Sequence, residues 1–484
     1  MTYGFTRNDR TTALRVPKDR ETLERAVVHA FAHLEKLETS SVAPSASLAD
    51  LRAALSRPVP KEGLPGAQVI DELVADTRGG IVGSQSGRFF AWVIGGGLPA
   101  AMAADWLTTV WDQNAGIYAG SPAAAVVEEV AGAWLRELFE LPVTASFAFT
   151  TGTQMAHVTC LAAARHSVLA ARGWDVRRKG LVGAPRIRFL VTAERHGSFD
   201  RAMRLLGFGD EAIEPLAIDA KDCITRKTLV DALALSDAPT IVALQAGELN
   251  LAGFDPFEEI VPIARAAGAW THVDGAFGLW AKTCSTTKTL VRGVELCDSW
   301  TTDAHKILNV PYDSGIAFVR DPDAHRSAMT LSTSYLPAGD GARDEIDWNP
   351  EFSRRARGFA VYAALRQLGQ DGLEDLVARV CRHARTLAEK IGALAGAELI
   401  ATSSFNQALV RFPSSRPDAT ELDHDRNTDA VISAINASGD AYFGGVTWRG
   451  RRAMRISVCN WRTNDSDIAT AIAAVKTALL QSAT

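Results

Sequence analysis

Lys306 stands directly after His305 in the stretch DSWTTDAHKILNVPYDSG (298–315), with no further basic side chain until Arg320. A lysine on a solvated helix face calls for no explanation. One set between two strands, beside a histidine and among small residues, offers an amine for covalent chemistry. Three other clusters have comparable potential. TTGTQ (150–154) separates a strand-like apolar run from a helical one, so its amides and the positive end of the helix form a cradle for a phosphate. Taken alone it is also an ordinary turn and cap, and it lacks the Gly-Lys-Ser/Thr ending of a P-loop. ERHGS (194–198) holds His196, which in isolation reads as a helix-capping residue. HVDGA (272–276) closes an apolar run with Asp274, where a carboxylate is costly unless paired. Its partner is either a backbone N–H or arginine of the chain, or a cationic ligand atom. At about 4 Å and an effective dielectric near 20, such a charge pair is worth roughly 4 kcal/mol before desolvation.

The four clusters must be brought together by a scaffold, and the pattern along the chain describes one. ASFAFTTGT, IRFLVTA, PTIVALQAG, AWTHVDGA and DSWTTDA read as strands. QMAHVTCLAAARHSVLAAR, SFDRAMRLLGFG and PFEEIVPIARAAG read as helices between them, the second closed by Gly207. Short apolar runs alternating with amphipathic helices imply a mostly parallel sheet covered on both faces. In such sheets ligands sit beyond the carboxyl ends of the strands, which is where all four clusters fall. Read jointly, a phosphate cradle, an aromatic stacker, an acid and a lysine in chain order match the needs of pyridoxal phosphate. The lysine forms a Schiff base, and the acid keeps the pyridine nitrogen protonated so that the ring accepts electrons.

Composition narrows the class. The chain has 484 residues, 47% of them hydrophobic, and a formal net charge of −5, which supplies a large core but no basic field for nucleic acid. Its most apolar stretch, FFAWVIGGGLPAAMAADWL, is broken by glycines, a proline and Asp105, so no membrane span is expected. The amino terminus has no apolar run of signal-peptide length. The six cysteines are scattered without a C-x-x-C pair, which suits reduced cytoplasmic thiols and indicates neither disulfides nor a metal site. Residues 17–38 read as a helix, and 351–393 as a long helical stretch leading to a unit of mixed strands and helices.

The runs FTTGTQMAHVTCLAAAR, RHGSFDRAMRLLGFG, HVDGAFGLWA, DSWTTDAHKILNVPYDSGIAFVRD, FSRRARGFAVYAALRQLGQDGL and MRISVCNWRT closely resemble the group II pyridoxal-phosphate-dependent amino acid decarboxylases, the family of the aromatic amino acid, histidine and glutamate decarboxylases. The resemblance covers roughly 85–465. It implies the α/β fold of type I pyridoxal-phosphate transferases, a large domain with a mostly parallel sheet flanked by helices, and a smaller α+β C-terminal domain. The corresponding divisions are 1–100 (a helical segment packing on a dimer partner), 101–395 and 396–484. It further implies a cytoplasmic homodimer with sites at the interface, an amino acid substrate, and neither nucleic acid nor membrane as partner.

Carried over position by position, Lys306 is the Schiff-base lysine, Asp274 the partner of the ring nitrogen, His196 the imidazole stacked on the ring, and Ala276 the contact on its other face. His305 lies near phosphate and substrate. Thr153 and Gln154 hold the phosphate, Asn250 keeps a polar cofactor contact, and Ser353 reaches the phosphate of the neighbouring subunit. Trp92, Val93, Ile94, Asn114 and Tyr118 line the substrate pocket, where Trp92 and Tyr118 admit a flat side chain and Gly95–Gly97 would leave volume for a bulky one.

Several departures bear on the chemistry. TQMA replaces the usual Ser-Glu-Ala after the cradle, and QAGELNLAGFD (245–255) replaces a Gly-Thr-rich segment, bringing Glu248 toward the cofactor edge. The loop LPAGDGARDEIDWNPEFSRR (336–355) lacks the tyrosine with which many relatives protonate the substrate carbon. Glu345 falls at about its position, and Tyr335 is ten residues too early. The resemblance therefore implies amino acid decarboxylation, with two further outcomes open: oxidative deamination to an aldehyde, or expulsion of a β-substituent. A pyridoxal-phosphate-binding protein without catalysis is the remaining alternative.

Overall fold

A computed structural model describes residues 20–331, 341–402 and 405–482. Tyr335 and positions 336–340 of the loop lie outside the described residues. The chain forms two compact units, Met1–Gly83 and Ser84–Thr484.

In the first unit, helices span Arg20–Lys36, Leu48–Leu55 and Gly66–Asp76. The second of these opens on a capping box, in which Ser47 and Asp50 satisfy each other's backbone amides. Asp71 ties the third helix to the first by accepting from Arg25 and facing His29, each at 2.6 Å.

Among the described residues of the second unit, twelve strands form two sheets. In chain order they are β1 (Phe89–Phe90), β2 (Ser146–Thr150), β3 (Arg188–Thr192), β4 (Ile213–Leu216), β5 (Thr240–Gln245), β6 (Trp270–Asp274), β7 (Ser299–Asp303), β8 (Gly315–Val319), β9 (Glu398–Thr402), β10 (Gln407–Arg411), β11 (Tyr442–Trp448) and β12 (Arg451–Ser457). The larger sheet has the order β2-β8-β7-β6-β5-β3-β4. Strands β3 to β7 pair in parallel and β8 runs against its neighbours. β2, β3, β5 and β7 are buried along their whole length, which is why they read as continuous apolar or small-residue runs.

The helix Thr153–Ala170 is alanine-rich and buried around most of its circumference, as a helix lying between a sheet and further helices must be. The smaller sheet, β1-β11-β12-β10-β9, is antiparallel except where Phe89–Phe90 pairs with Tyr442–Phe443. A segment preceding residue 101 thus completes the sheet made by the C-terminal residues. The long helical stretch is Gly358–Gly392, broken at Gly369, whose φ of 62° only glycine adopts freely.

Strand register aligns the carboxyl ends. Gln245 pairs with Asp274, Asp274 with Thr301, and both Asp303 and Thr150 with Gly315. The polar residues that close β2, β5, β6 and β7 therefore share one rim.

Candidate active site

At that rim a cavity of about 510 Å³ is lined by Trp92, Val93, Gly152, Thr153, Gln154, His196, Gln245, Asp274, Ala276, Phe277, Asp303, His305, Lys306 and Arg455, among others. Of the positions expected from the sequence, Lys306, Asp274, His196, His305, Thr153, Gln154, Ala276, Trp92 and Val93 meet here. Ile94, Asn114, Tyr118, Asn250, Glu345 and Ser353 do not line it.

Lys306 is held by Asp303, which sequence reasoning passed over as the end of a polar run. Its Oδ2 lies 3.1 Å from Lys306 Nζ and 3.6 Å from His305 Nε2. Its Oδ1 accepts the Thr153 amide at 2.7 Å, capping the helix that follows. Burial opposes ionisation of Asp303, but the Lys306 ammonium and then His305 outweigh it and hold the carboxyl below its ordinary range. The spacing Asp303-x-x-Lys306 is the signal that could have revealed it. His305 accepts the Ser314 amide on Nδ1 at 3.1 Å and stacks on Tyr312 at 4.3 Å. Burial lowers its pKa, leaving a neutral ring whose proton is on Nε2.

His196 combines both roles weighed for it. It caps the helix Gly197–Leu205, with Nδ1 accepting from the Ser198 amide at 3.2 Å, and its ring lines the cavity. Desolvation lowers its pKa, only partly offset by Asp274, so it presents an uncharged aromatic face. Asp274 accepts the Ala276 amide at 3.1 Å. Burial opposes its charge, but His157 and the Lys306 ammonium keep the carboxyl well below the ordinary range.

Trp92 and Val93 occupy the left-handed region at φ 56° and 57°, a conformation that costs roughly 1–3 kcal/mol per non-glycine residue. It holds the half-exposed Trp92 ring at the cavity mouth beside Tyr442, with centroids 5.6 Å apart. The glycines that follow do not open volume for substrate. A Cβ at Gly95 would lie 2.3 Å from the Lys306 carbonyl oxygen, and one at Gly96 would lie 2.8 Å from Asn460 Oδ1. Small residues are needed there because the chain packs against the lysine-bearing loop.

The other departures also resolve into packing. Glu248 turns its carboxylate into its own loop, accepting from the amides of Asn250 and Leu251 and from Asn250 Nδ2, each at 2.8 Å. Burial pushes it up to about 7. Glu345 is 1% exposed and held by Arg343 at 2.7 Å and Asn349 at 3.1 Å. Arg343 is itself clamped between Phe147 and Trp348, 4.5 Å from each ring. Nearby, Asn114 donates to Ser353 Oγ at 3.3 Å and the Tyr118 amide to Asp344 at 2.7 Å. These residues form a second polar cluster apart from the cavity.

The cavity fits pyridoxal 5′-phosphate on its own terms. It offers a lysine amine, a buried ionised acid, a neutral imidazole face, and a helix start where Thr153 Oγ1 is buried without a hydrogen-bond partner. Among the described residues no group of side chains is arranged to hold a metal ion, and no helix is long and apolar enough to cross a membrane.

Residues 49–414 match the model of the pyridoxal-dependent decarboxylase conserved domain. The chain is 29% identical over 324 residues to L-2,4-diaminobutyrate decarboxylase of Rhizobium meliloti (strain 1021), a match spanning 65% of this chain and 63% of that one. It is 24% identical over 433 residues to phenylacetaldehyde synthase of a Rosa hybrid cultivar, covering 86% and 85% of the two chains. The crystal structure of Oryza sativa TDC with PLP and tryptamine superimposes with a TM-score of 0.89 at 22% identity, over 98% of this chain and 99% of that chain, a likeness of fold.

Proposed function

The chain belongs to the pyridoxal-dependent decarboxylases, amino acid carboxy-lyases that use pyridoxal 5′-phosphate, and on that premise we propose that it converts an amino acid with a flat side chain to the amine. The observation that carries this reading is the convergence of Lys306, Asp274, His196 and Thr153 on one cavity. When bound, the cofactor supplies a carbonyl that condenses with an amine and a protonated pyridine ring that accepts electrons. Lys306 provides the amine that tethers it, with Asp303 beside it to receive or return the proton of that amine. Asp274 would hold the proton on the ring nitrogen, and His196 and Ala276, which line the same cavity, would pack against the ring. Thr153, Gln154 and the helix start would hold the phosphate. Trp92 offers the substrate a flat apolar wall, and His305, with its proton on Nε2, shares Asp303 with Lys306.

Incubating the yellow holoprotein with an amino acid panel and identifying products by mass is expected to give one amine with one carbon dioxide, without peroxide. The second reading is aldehyde formation. It is supported by the missing loop tyrosine, by the anchoring of Glu345 away from any mobile role, and by the aldehyde synthase among the relatives. Stoichiometric ammonia and hydrogen peroxide with oxygen uptake would establish it and sink the amine reading.

The proposed working unit is a cytoplasmic homodimer in which Ser353 and its neighbours Asn114 and Tyr118 serve the partner's cavity. Subunits of Lys306→Ala and Ser353→Asp, each inactive alone, should then complement when refolded together. Random pairing of two-fold symmetric dimers restores about a quarter of the sites. No recovery in a mixture shown to contain hybrid dimers would refute shared sites.

A further inference from the structure

Trp270, His272 and Asp274 lie at alternate positions of β6, so their side chains share one face of the sheet. Facing them are Ser299 of β7 and His157, one helical turn after Thr153. Trp270 Nε1 lies 2.9 Å from Ser299 Oγ, and Ser299 Oγ 2.9 Å from His272 Nδ1. His272 Nε2 lies 2.8 Å from His157 Nδ1. His157 Nε2, buried and without a hydrogen-bond partner, lies 3.3 Å from Asp274 Oδ2. His157, His272 and Ser299 are 0% exposed, and Phe199 closes the edge of His157 at 5.6 Å.

The direction of this chain follows from its ends. An indole N–H only donates and a carboxylate only accepts. Ser299 receives the Trp270 proton and gives its own to His272 Nδ1. His272 then carries its proton on Nε2 and donates to His157, which carries its proton on Nε2 toward Asp274. The reverse order would set an imidazole lone pair against a carboxylate, or require a second proton on a buried ring.

We propose that His157 is a positioning residue for the cofactor acid: it donates Nε2–H to Asp274 Oδ2 at the end of a one-way hydrogen-bond chain from Trp270, and so orients the carboxylate for the cofactor's ring nitrogen. This rests on Asp274 facing that nitrogen, as the proposed function has it. An asparagine at 157 keeps a polar atom near Nδ1, for His272, but loses the donor at Nε2. A glutamine reaches the Nε2 position and keeps it.

The test titrates apoprotein with pyridoxal 5′-phosphate and with its analogue in which carbon replaces the ring nitrogen. His157→Asn should weaken binding of the cofactor by roughly 10- to 100-fold, the range for one charge-assisted hydrogen bond, and leave the analogue unchanged. His157→Gln should stay within about threefold of wild type for both. Equal losses with both ligands, no loss with either, or a glutamine variant as weak as the asparagine one would overturn the proposal and leave His157 a packing residue. Asp274→Asn, measured alongside, separates the premise: if it binds both ligands as wild type does, Asp274 does not face the nitrogen. Where His157→Asn fails to fold, ¹⁵N-histidine spectra of the unmutated apoprotein decide. Nε2–H tautomers at His157 and His272 are expected, and an Nδ1–H tautomer at His157 contradicts the chain.

Discussion

Asp274→Asn should lower turnover about 10³-fold while leaving the fold intact. The carboxylate and a pyridinium nitrogen at hydrogen-bond distance interact by roughly 4 kcal/mol at an effective dielectric near 20, and each 1.36 kcal/mol is a factor of about ten in rate. An amide of the same shape cannot keep the ring nitrogen charged, so the ring loses its capacity to accept electrons even when cofactor is bound. The expected signature is low kcat with a visible absorbance band still present. A variant within tenfold of wild type would remove Asp274 from its assigned role. Because the Asp274 carboxyl is held well below its ordinary range, it remains ionised across neutral and mildly acidic pH and contributes no inflection to the rate profile there. The same depression makes its contribution to stability present above about pH 4, the unfolded value, and lost only as pH falls toward its folded value.

Lys306→Ala should abolish the visible band and reduce activity by roughly 10⁴-fold or more, since among the described residues no other amine lines the cavity to take its place. That variant also strips Asp303 of its nearest cation, 3.1 Å away. Stability measured beside activity therefore distinguishes the loss of that ion pair from the loss of catalysis. Lys306→Arg separates the two. A guanidinium keeps the ion pair with Asp303 but stays protonated and forms no imine, so this variant should melt near wild type while being colourless and inactive. Colour surviving either change would displace Lys306 as the anchor.

Much of this was legible without coordinates, and for a local reason. Asp274 ends β6, and Thr153, His196 and Lys306 lie within four residues of the ends of β2, β3 and β7, so the short-range pattern that makes each strand also places the residue at its end. The helix from Thr153 to Ala170 and the closing glycine at 207, with φ 82°, were readable on the same grounds. The residues that support those four were not. Asp303 was visible only as the end of a polar run, although its distances to Thr153 and Lys306 make it the hub of the site. Glu248 and Glu345 read as candidates for the cavity, yet both satisfy their charge within neighbouring backbone and side chains.

The amino-acid order by itself determined which side chains arrive at the rim of the sheet, because strand period and helix start are properties of a few consecutive residues. Which of them touch was decided by tertiary structure alone. Only the register of β6 against β7, and the way one alanine-rich helix lies across both, bring His157 to His272 over a separation of 115 positions. Strand register and helix placement follow from the packing of the whole core, and no short window of sequence contains that information.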